Sequence, residues 1–340
     1  MNHVCFHQDD SNAAWLGEDL LERQDWRQDL CENEVQECIE AAALLANGFD
    51  EKTIDQTLAR CLPNLSDRLK HCQNNLESKS GATIIHGFPL DHMDKHAAGV
   101  LFTWMMKRIG TPVAQTTDGD EIFHVRDEGF KSDDPRARGP NSKNRLTFHS
   151  DRCDVICFLC MQEAMRGGEN QIVSSVSLYQ RIQRDHPDLL KVLMQPFWYQ
   201  RHNVDSGNEH AFYQQPIFSF CEGRFASSLL RVLIDRAYRS PETPEMTEQQ
   251  RHALDLVETL ASDPGMHLEF RQQRGDILLL NNFVTLHRRK AFEDDGRNQF
   301  RRHLLRIWLS MPNSRPIDPM FSASYGQTSA GALRGGMRVR

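Results

Sequence analysis

Leu146-Thr147-Phe148-His149-Ser150-Asp151, followed three residues later by Val155-Ile156-Cys157-Phe158-Leu159-Cys160-Met161, is the stretch on which the reading of this chain turns. The second run is apolar and of strand length, and the first leads into it with a short apolar pulse, so both are expected to be strands. In a strand, residues two apart leave the same face. His149 and Asp151 are therefore expected to project together into one cavity. One imidazole and one carboxylate at that spacing make two legs of a metal site, and the third leg has to come from a distant histidine. The best candidate is His287, shortly after the apolar strand Ile277-Leu278-Leu279-Leu280. Two histidines and one carboxylate, with one face of the metal left open, suit non-haem Fe(II) chemistry. A His-x-Asp pair by itself is weak evidence, since most such pairs are merely hydrogen-bonded or exposed.

A basic strand downstream adds weight. In Arg302-His303-Leu304-Leu305-Arg306-Ile307-Trp308-Leu309, alternation puts Arg302, Leu304, Arg306 and Trp308 on one face. An arginine aimed into an apolar interior needs an anionic partner, and guanidinium grips carboxylate through a bidentate fork. A dicarboxylate ligand meets that need, as does a structural ion pair with an acidic residue.

Composition sets the outer limits. The chain has 340 residues, a net charge of -7 and 26% charged residues mixed along most of its length. That lacks the basic footprint of a nucleic-acid binder. Nine cysteines are an odd number and a poor basis for a disulfide framework, which points to a reducing, cytoplasmic setting. No apolar run reaches membrane-spanning length, and Met1 to Asp10 lacks the pattern of a secretory signal.

Around the central stretch, helical spacing predicts helices over 13–47 (closed by Asn47-Gly48), 67–78 and 94–109. Short strands are expected at 82–85, 121–126, 171–174, 211–219, 267–271, 277–283 and 303–310, with helices at 177–184, 188–194, 225–239 and 247–262. Helices in front and many short strands behind argue for one mainly β domain with flanking helices, an α+β chain. Residues 1–80 are expected to be a helical segment packed on a core domain of 81–312. The tail 313–340, rich in Ser, Gly, Pro and Arg, is expected to be partly disordered.

These motifs together resemble the taurine dioxygenase-like (TauD/TfdA) family of Fe(II)/2-oxoglutarate dioxygenases. The resemblance runs from about residue 80 to 312: Gly81 to Phe88, Ile109-Gly110 with Gln115, the His-x-Asp pair, Gly167-Gly168-Glu169-Asn170, the distal His287 and the arginine pair. It implies a double-stranded β-helix (jelly-roll) core. It also implies Fe(II) held by His149, Asp151 and His287, and 2-oxoglutarate as cosubstrate. Arg302 corresponds to the arginine that grips the distal carboxylate of 2-oxoglutarate. Arg306 corresponds to its neighbour nearer the metal, which meets the cosubstrate or an anionic substrate group. Asn170 falls where relatives often carry Thr or Ser to contact the cosubstrate; Ser174 or Ser175 are the alternatives for that contact. The implied reaction hydroxylates a small molecule with O2 and converts 2-oxoglutarate to succinate and CO2. Related halogenases replace the carboxylate ligand with a small residue, so Asp151 favours hydroxylation.

Other features have plainer expectations. Cys153, Cys157 and Cys160 are expected to be inert buried thiols. The polar segment 127–144 is a surface loop or a lid, and Gln115-Thr116-Thr117 is a candidate pocket wall. Arg231 and Asp235 should pair along a helix, one of Arg231, Arg236 and Arg239 is a candidate to reach the substrate, and Arg288-Arg289-Lys290 should face solvent in part. Asn282 is a candidate to orient the distal histidine. Expected partners are a small-molecule substrate and O2, with neither nucleic acid nor membrane; homo-oligomerisation stays open. Two alternatives to the enzyme are a catalytically weak ligand-sensing or partner-binding member of the same fold, and a divalent-metal hydrolase using the same ligands.

Overall fold

The computed structural model describes residues 7–48, 52–130, 139–202, 210–295 and 301–339. The strand Val155–Gln162 sits inside a seven-stranded sheet, and six of its eight residues are buried. Its near-continuous apolar run is what a strand covered on both faces requires. Ile277–Asn281 pairs with it antiparallel on one side and His303–Ser310 on the other. Ala82–His86 and, parallel to it, Arg27–Asp29 extend the first edge. Thr111–Val113 and Ile122–Val125 both pair with His303–Ser310 at the second. A smaller antiparallel sheet runs in the order His267–Phe270, Asn170–Ser174, Thr285–Arg289.

Strand parity decides what each face meets. On one face of the large sheet Leu305, Ile307, Leu309, Cys157, Leu159 and Leu279 pack against the helices Glu32–Ala46, Pro63–Ser78 and Lys95–Ile109. Asp94 caps the last of these, its carboxylate accepting from Ala97 N at 2.8 Å. On the other face Trp308, Ile156, Leu278 and Leu280 meet Ile172 and Leu268 of the small sheet. The small sheet's far side is covered by the helices Ser175–Asp185, Pro187–Leu193 and Glu248–Ala261, packed around Val173 and Leu286. Full burial of each such side chain contributes roughly 1.5–3 kcal/mol.

Several expectations are corrected. Within 13–47 the α-helix is confined to Glu32–Ala46, and Arg27–Asp29 is an edge strand. The expected helix over 225–239 splits into the strand Arg224–Ser227 and the short helix Arg231–Ala237. Glu222 (φ 50°) and Gly223 (φ 78°) make the two-residue turn that returns Arg224–Ser227 along Phe218–Cys221, since two positive φ values match the twist of a tight hairpin. The strand expected over 277–283 stops at Asn281, and a second, Thr285–Arg289, follows. Residues 146–148 form no named strand, although His149 bridges to His287.

The tail also differs from expectation. Arg315 is fully buried, with Nη1 2.8 Å from Asp10 Oδ1 and Nε 2.9 Å from Glu77 Oε1. Arg334 is buried with Nε 2.7 Å from Asp154 Oδ1. Three buried ion pairs therefore tie residues 313–339 to the body of the protein, and residue 340 lies outside the described residues. All described cysteines are free. Burial pushes the Cys160 thiol up to about 12 and those of Cys153 and Cys157 well above the usual range, so all three are inert. Among the described residues no helix is long and apolar enough to cross a membrane.

Candidate functional site

The two histidines are neighbours through their backbones. His149 N donates to His287 O at 3.0 Å and His287 N donates to His149 O at 2.9 Å, while Leu146 N donates to Arg289 O at 3.0 Å. Residues 146–149 thus run beside Thr285–Arg289, which places the imidazoles with ring centroids 4.4 Å apart. Asp151 Oδ2 lies 3.3 Å from His287 Nε2 and 3.9 Å from His149 Nε2. One ligand atom from each of the three lies within 4.8 Å of the others.

The donor chemistry fits a cation. His149 Nδ1 is 2.9 Å from Thr147 O. A carbonyl can only accept, so Nδ1 carries the proton and Nε2 keeps its lone pair. Burial and the neighbouring His287 lower His149 to about 4, which holds the imidazole neutral. For Asp151 burial acts to raise the pKa, but Arg306 overrides it and the carboxyl is held well below the usual range. Asp151 Oδ2 is buried with no hydrogen-bond partner, an expensive state that a bound cation relieves. The ligand set, two nitrogens and one carboxylate oxygen, is suited to Fe(II).

Outer groups fix this geometry. Asn282 Oδ1 accepts from Asp151 N at 2.9 Å, and its amide nitrogen donates to Cys153 O at 3.1 Å. Asn282 therefore holds the Asp151 turn, where the sequence suggested the distal histidine. Arg306 Nη1 lies 3.6 Å from Asp151 Oδ1. Its guanidinium sits between Phe123 and Trp308, 4.9 Å from each ring. Gln115 Oε1 accepts from Arg306 Nε at 2.7 Å, and Gln115 Nε2 donates to Arg306 O at 2.8 Å. Gln115 is a positioning residue for Arg306 and lines neither site cavity, while Thr116 is taken up by Asp120 in a turn.

Two cavities meet at His149 and Asp151, and His287 lines the inner one. The inner one, about 50 Å³, is lined by Arg302, Asn170, Phe158, Leu304, Arg289 and the ligand side chains. Arg302 is only 6% exposed, and burial lowers its pKa to about 10. No acidic side chain lies within ion-pair distance of it among the described residues. Gly168 is in the left-handed region (φ 76°), and a Cβ there would stand 3.3 Å from Arg302 Nε, so the Gly-Gly turn makes room for the guanidinium. Asn170 Nδ2 is buried without a partner. Ser174 and Ser175, the alternatives to it, are engaged elsewhere: Ser174 Oγ donates to Ala13 O at 2.6 Å and Ser175 Oγ is 2.8 Å from Ser227 Oγ.

The outer cavity, about 440 Å³, opens on the other side of the ligands. Tyr199 and Tyr213, stacked at 5.3 Å, form part of its wall. Tyr325 and Met337 of the tail also line it, and nothing in the sequence singled these residues out. Arg231 pairs with Asp235 at 2.7 Å as expected and with Asp255 at 2.8 Å. Arg231 and Arg239 both line this cavity; Arg236 does not. Of the 127–144 segment, residues 131–138 (with Lys131, Arg136 and Arg138) lie outside the described residues, while Gly139 and Pro140 line the cavity. Arg288 and Arg289, expected partly in solvent, are buried: Arg288 Nη1 lies 2.9 Å from Glu258 Oε1 and Arg289 Nη2 donates to Ser142 O at 2.6 Å.

Comparison with known proteins gives a consistent result. The profile of the taurine catabolism dioxygenase TauD, TfdA family matches residues 59–308. FR-33289 synthase of Streptomyces rubellomurinus is 28% identical over 317 residues, which is 91% of this chain and 92% of the relative. The taurine hydroxylase-like protein SAT17 of Stachybotrys chartarum is 24% identical over 328 residues, 91% of this chain and 83% of the relative. Among solved structures, asparagine oxygenase with Fe(II), 3-hydroxyasparagine and succinate has a TM-score of 0.64 at 16% identity, over 84% of this chain and 93% of that one. The non-haem iron oxygenase OrfP with Fe and α-ketoglutaric acid has a TM-score of 0.62 at 16% identity, over 84% and 94%. Those two share this mixed fold of a large sheet with flanking helices.

Proposed function

The chain belongs to the taurine catabolism dioxygenase TauD, TfdA family and is an Fe(II)- and 2-oxoglutarate-dependent dioxygenase, and from that premise we propose that it hydroxylates a small molecule seated in the outer cavity, with His149, Asp151 and His287 holding the iron. Arg302 and Asn170 bind 2-oxoglutarate in the inner cavity, and the reaction consumes O2 and releases succinate and CO2. We read the two sheets as halves of a double-stranded β-helix spanning residues 81–312, with residues 1–80 a helical segment packed on it.

The observation that carries the assignment is Arg302: a buried guanidinium with no acidic partner among the described residues, in the cavity that also holds the ligand carboxylate. Leaving a charge so placed is costly, and a dicarboxylate offers it a bidentate partner. Asn170 Nδ2 adds a second donor without an acceptor. The iron, when bound, supplies the redox chemistry that couples oxidation of 2-oxoglutarate to that of the substrate.

The chain's own residues prepare for that chemistry. Thr147 O fixes the His149 tautomer so that Nε2 faces the metal position. Arg306 keeps Asp151 ionised, and Gln115 keeps Arg306 in place. Asn282 fixes the Asp151 backbone. Stacked Tyr199 and Tyr213 give the outer cavity part of an aromatic wall.

Anaerobic titration of the metal-free protein with Fe(II) and then 2-oxoglutarate tests the reading. A visible charge-transfer band should form in the parent, be absent in His149→Ala, and need far more 2-oxoglutarate in Arg302→Ala. A parent that forms no band overturns the assignment.

A further inference from the structure

Asp151 sits on a turn rather than on a strand, and a turn holds a side chain still only if something outside it does the holding. The tail reaches this turn at three points. Gly336 N donates to Arg152 O at 2.8 Å, Arg334 Nε donates to Asp154 Oδ1 at 2.7 Å, and Tyr325 Oη lies 3.4 Å from Asp151 O. Gly335 N donates to Tyr325 O at 2.8 Å, so the three contacts belong to one unit. The next residue, Met337, donates its N–H to Ala114 O at 2.8 Å, beside the Gln115 that holds Arg306. The end of the tail thus spans from the backbone that carries the metal carboxylate to the backbone that positions its arginine.

The approach is close enough to require glycine. Gly335 is in the left-handed region (φ 83°), and a Cβ there would stand 2.7 Å from Arg152 O and 3.1 Å from Cys153 Cα, so the missing side chain is what lets the two backbones meet. Gly335 lines neither cavity; Tyr325 and Met337, on either side of it in the tail, both line the outer one. The family profile stops at residue 308, before the tail begins.

Resting on the dioxygenase reading of the site, we infer that the tail is part of the iron site: Gly335 and Gly336 are positioning residues that clamp the turn after Asp151 and set where its carboxylate stands. Asn282 grips the same turn from Asp151 N, and the tail grips it from the carbonyls that follow. Coupling between two sites is reciprocal, so a metal ion that fixes Asp151 also tightens the tail. The segment that closes the substrate cavity and the segment that steadies the metal carboxylate are then one piece, and a substrate pressing on Tyr325 or Met337 is felt at Asp151.

The test compares the parent with Gly335→Ala and Gly331→Ala. Gly331 is a matched control: it lies in the same tail with φ 66°, and a Cβ there would stand 2.6 Å from Pro312 O, away from the metal turn. Both variants should therefore unfold at a lower temperature. In anaerobic titration with Fe(II) alone, Gly335→Ala should raise the Kd by about 10-fold or more, the lower end of what outer groups at a metal site contribute, while Gly331→Ala stays close to the parent. In the metal-free protein, hydrogen exchange at the amides of Asp151 and Cys153 should quicken in Gly335→Ala and not in Gly331→Ala. In the parent, which needs no substitution, loading with Fe(II) should slow exchange at Gly336 and Met337. A Kd in Gly335→Ala equal to that of the parent overturns the inference. An equal rise in both variants overturns it too, since the tail would then be a general support of the fold. A parent that takes up no iron strikes the assignment of the metal ligands instead, and the metal-free exchange at Asp151 and Cys153 still decides whether the tail holds the turn.

Discussion

The inner and outer cavities share a border of metal ligands yet are built in opposite ways. The inner one rises from regular strands: Arg302 next to His303–Ser310, Asn170 in the small sheet and His287 in Thr285–Arg289. The outer one is assembled from a turn before the large sheet, a short helix, a hairpin and the tail, with Arg145, Arg231, Tyr213 and Met337 as examples. Strands hold side chains at a fixed period and height, which suits a reaction whose cosubstrate never changes. Loops can vary without disturbing the sheet, which suits the part that chooses the substrate. Substitutions in the inner region should therefore register in iron and 2-oxoglutarate binding, and substitutions in the outer region in substrate binding alone.

The sharpest break is Asp151→Asn, which keeps size and removes the ligand charge. Succinate release should fall by more than the roughly 10–100-fold that an outer-shell change at a metal site costs; turnover close to the parent would dissolve the distinction altogether. Arg334→Ala probes the seam between the regions, because it strands Asp154 in the interior without its 2.7 Å partner. Removing one partner of a buried pair costs about 3–5 kcal/mol, so thermal unfolding should shift markedly downward, and an unchanged midpoint would show that the tail is not structural. Arg302→Ala should raise the apparent Kd for 2-oxoglutarate roughly 10–100-fold, as loss of a charged hydrogen-bond partner worth about 1.5–3 kcal/mol implies, with Fe(II) affinity preserved. Asn170→Ala should be the mildest, a few-fold rise in the same Kd for a neutral contact of about 0.5–1.5 kcal/mol. An Asn170 effect that appears in substrate KM would move that residue from one region to the other.

The same division explains what could be read before the structure was seen. Strand alternation put Leu304, Arg306 and Trp308 on one face of His303–Ser310, whereas His149 and Asp151 meet for another reason: His149 bridges to His287 and Asp151 sits in a turn held by Asn282. The helix Lys95–Ile109 was legible from its run of apolar residues between Asp94 and Gly110. Thr285–Arg289 was missed because Arg288-Arg289-Lys290 looks like a solvated run. Its burial depends on Gln171, Glu258 and the Ser142 carbonyl, all distant in sequence. The strand Arg224–Ser227 is hidden in the sequence because the helical period of Arg231–Ala237 follows it closely, and only its pairing with Phe218–Cys221 across Glu222-Gly223 sets it apart. Composition made the tail look loose; only the tertiary partners of Arg315 and Arg334 show otherwise. Tyr199, Tyr213 and Tyr325 carry no local signature of a wall, since three separate segments create it.

The ion pair between Arg315 and Asp10 joins groups 305 residues apart. During synthesis at about 5–20 residues per second, the Asp10 carboxylate leaves the ribosome some 15–60 s before its guanidinium partner exists. Arg224 serves the same acids earlier, with Nη1 3.2 Å from Asp9 Oδ2 and Nη2 2.9 Å from Glu77 Oε1, and Phe225 N donates to Asp10 Oδ2 at 2.8 Å. The front end is therefore held first by residues 224–225, and Arg315 closes over the same acids as a late event in translation.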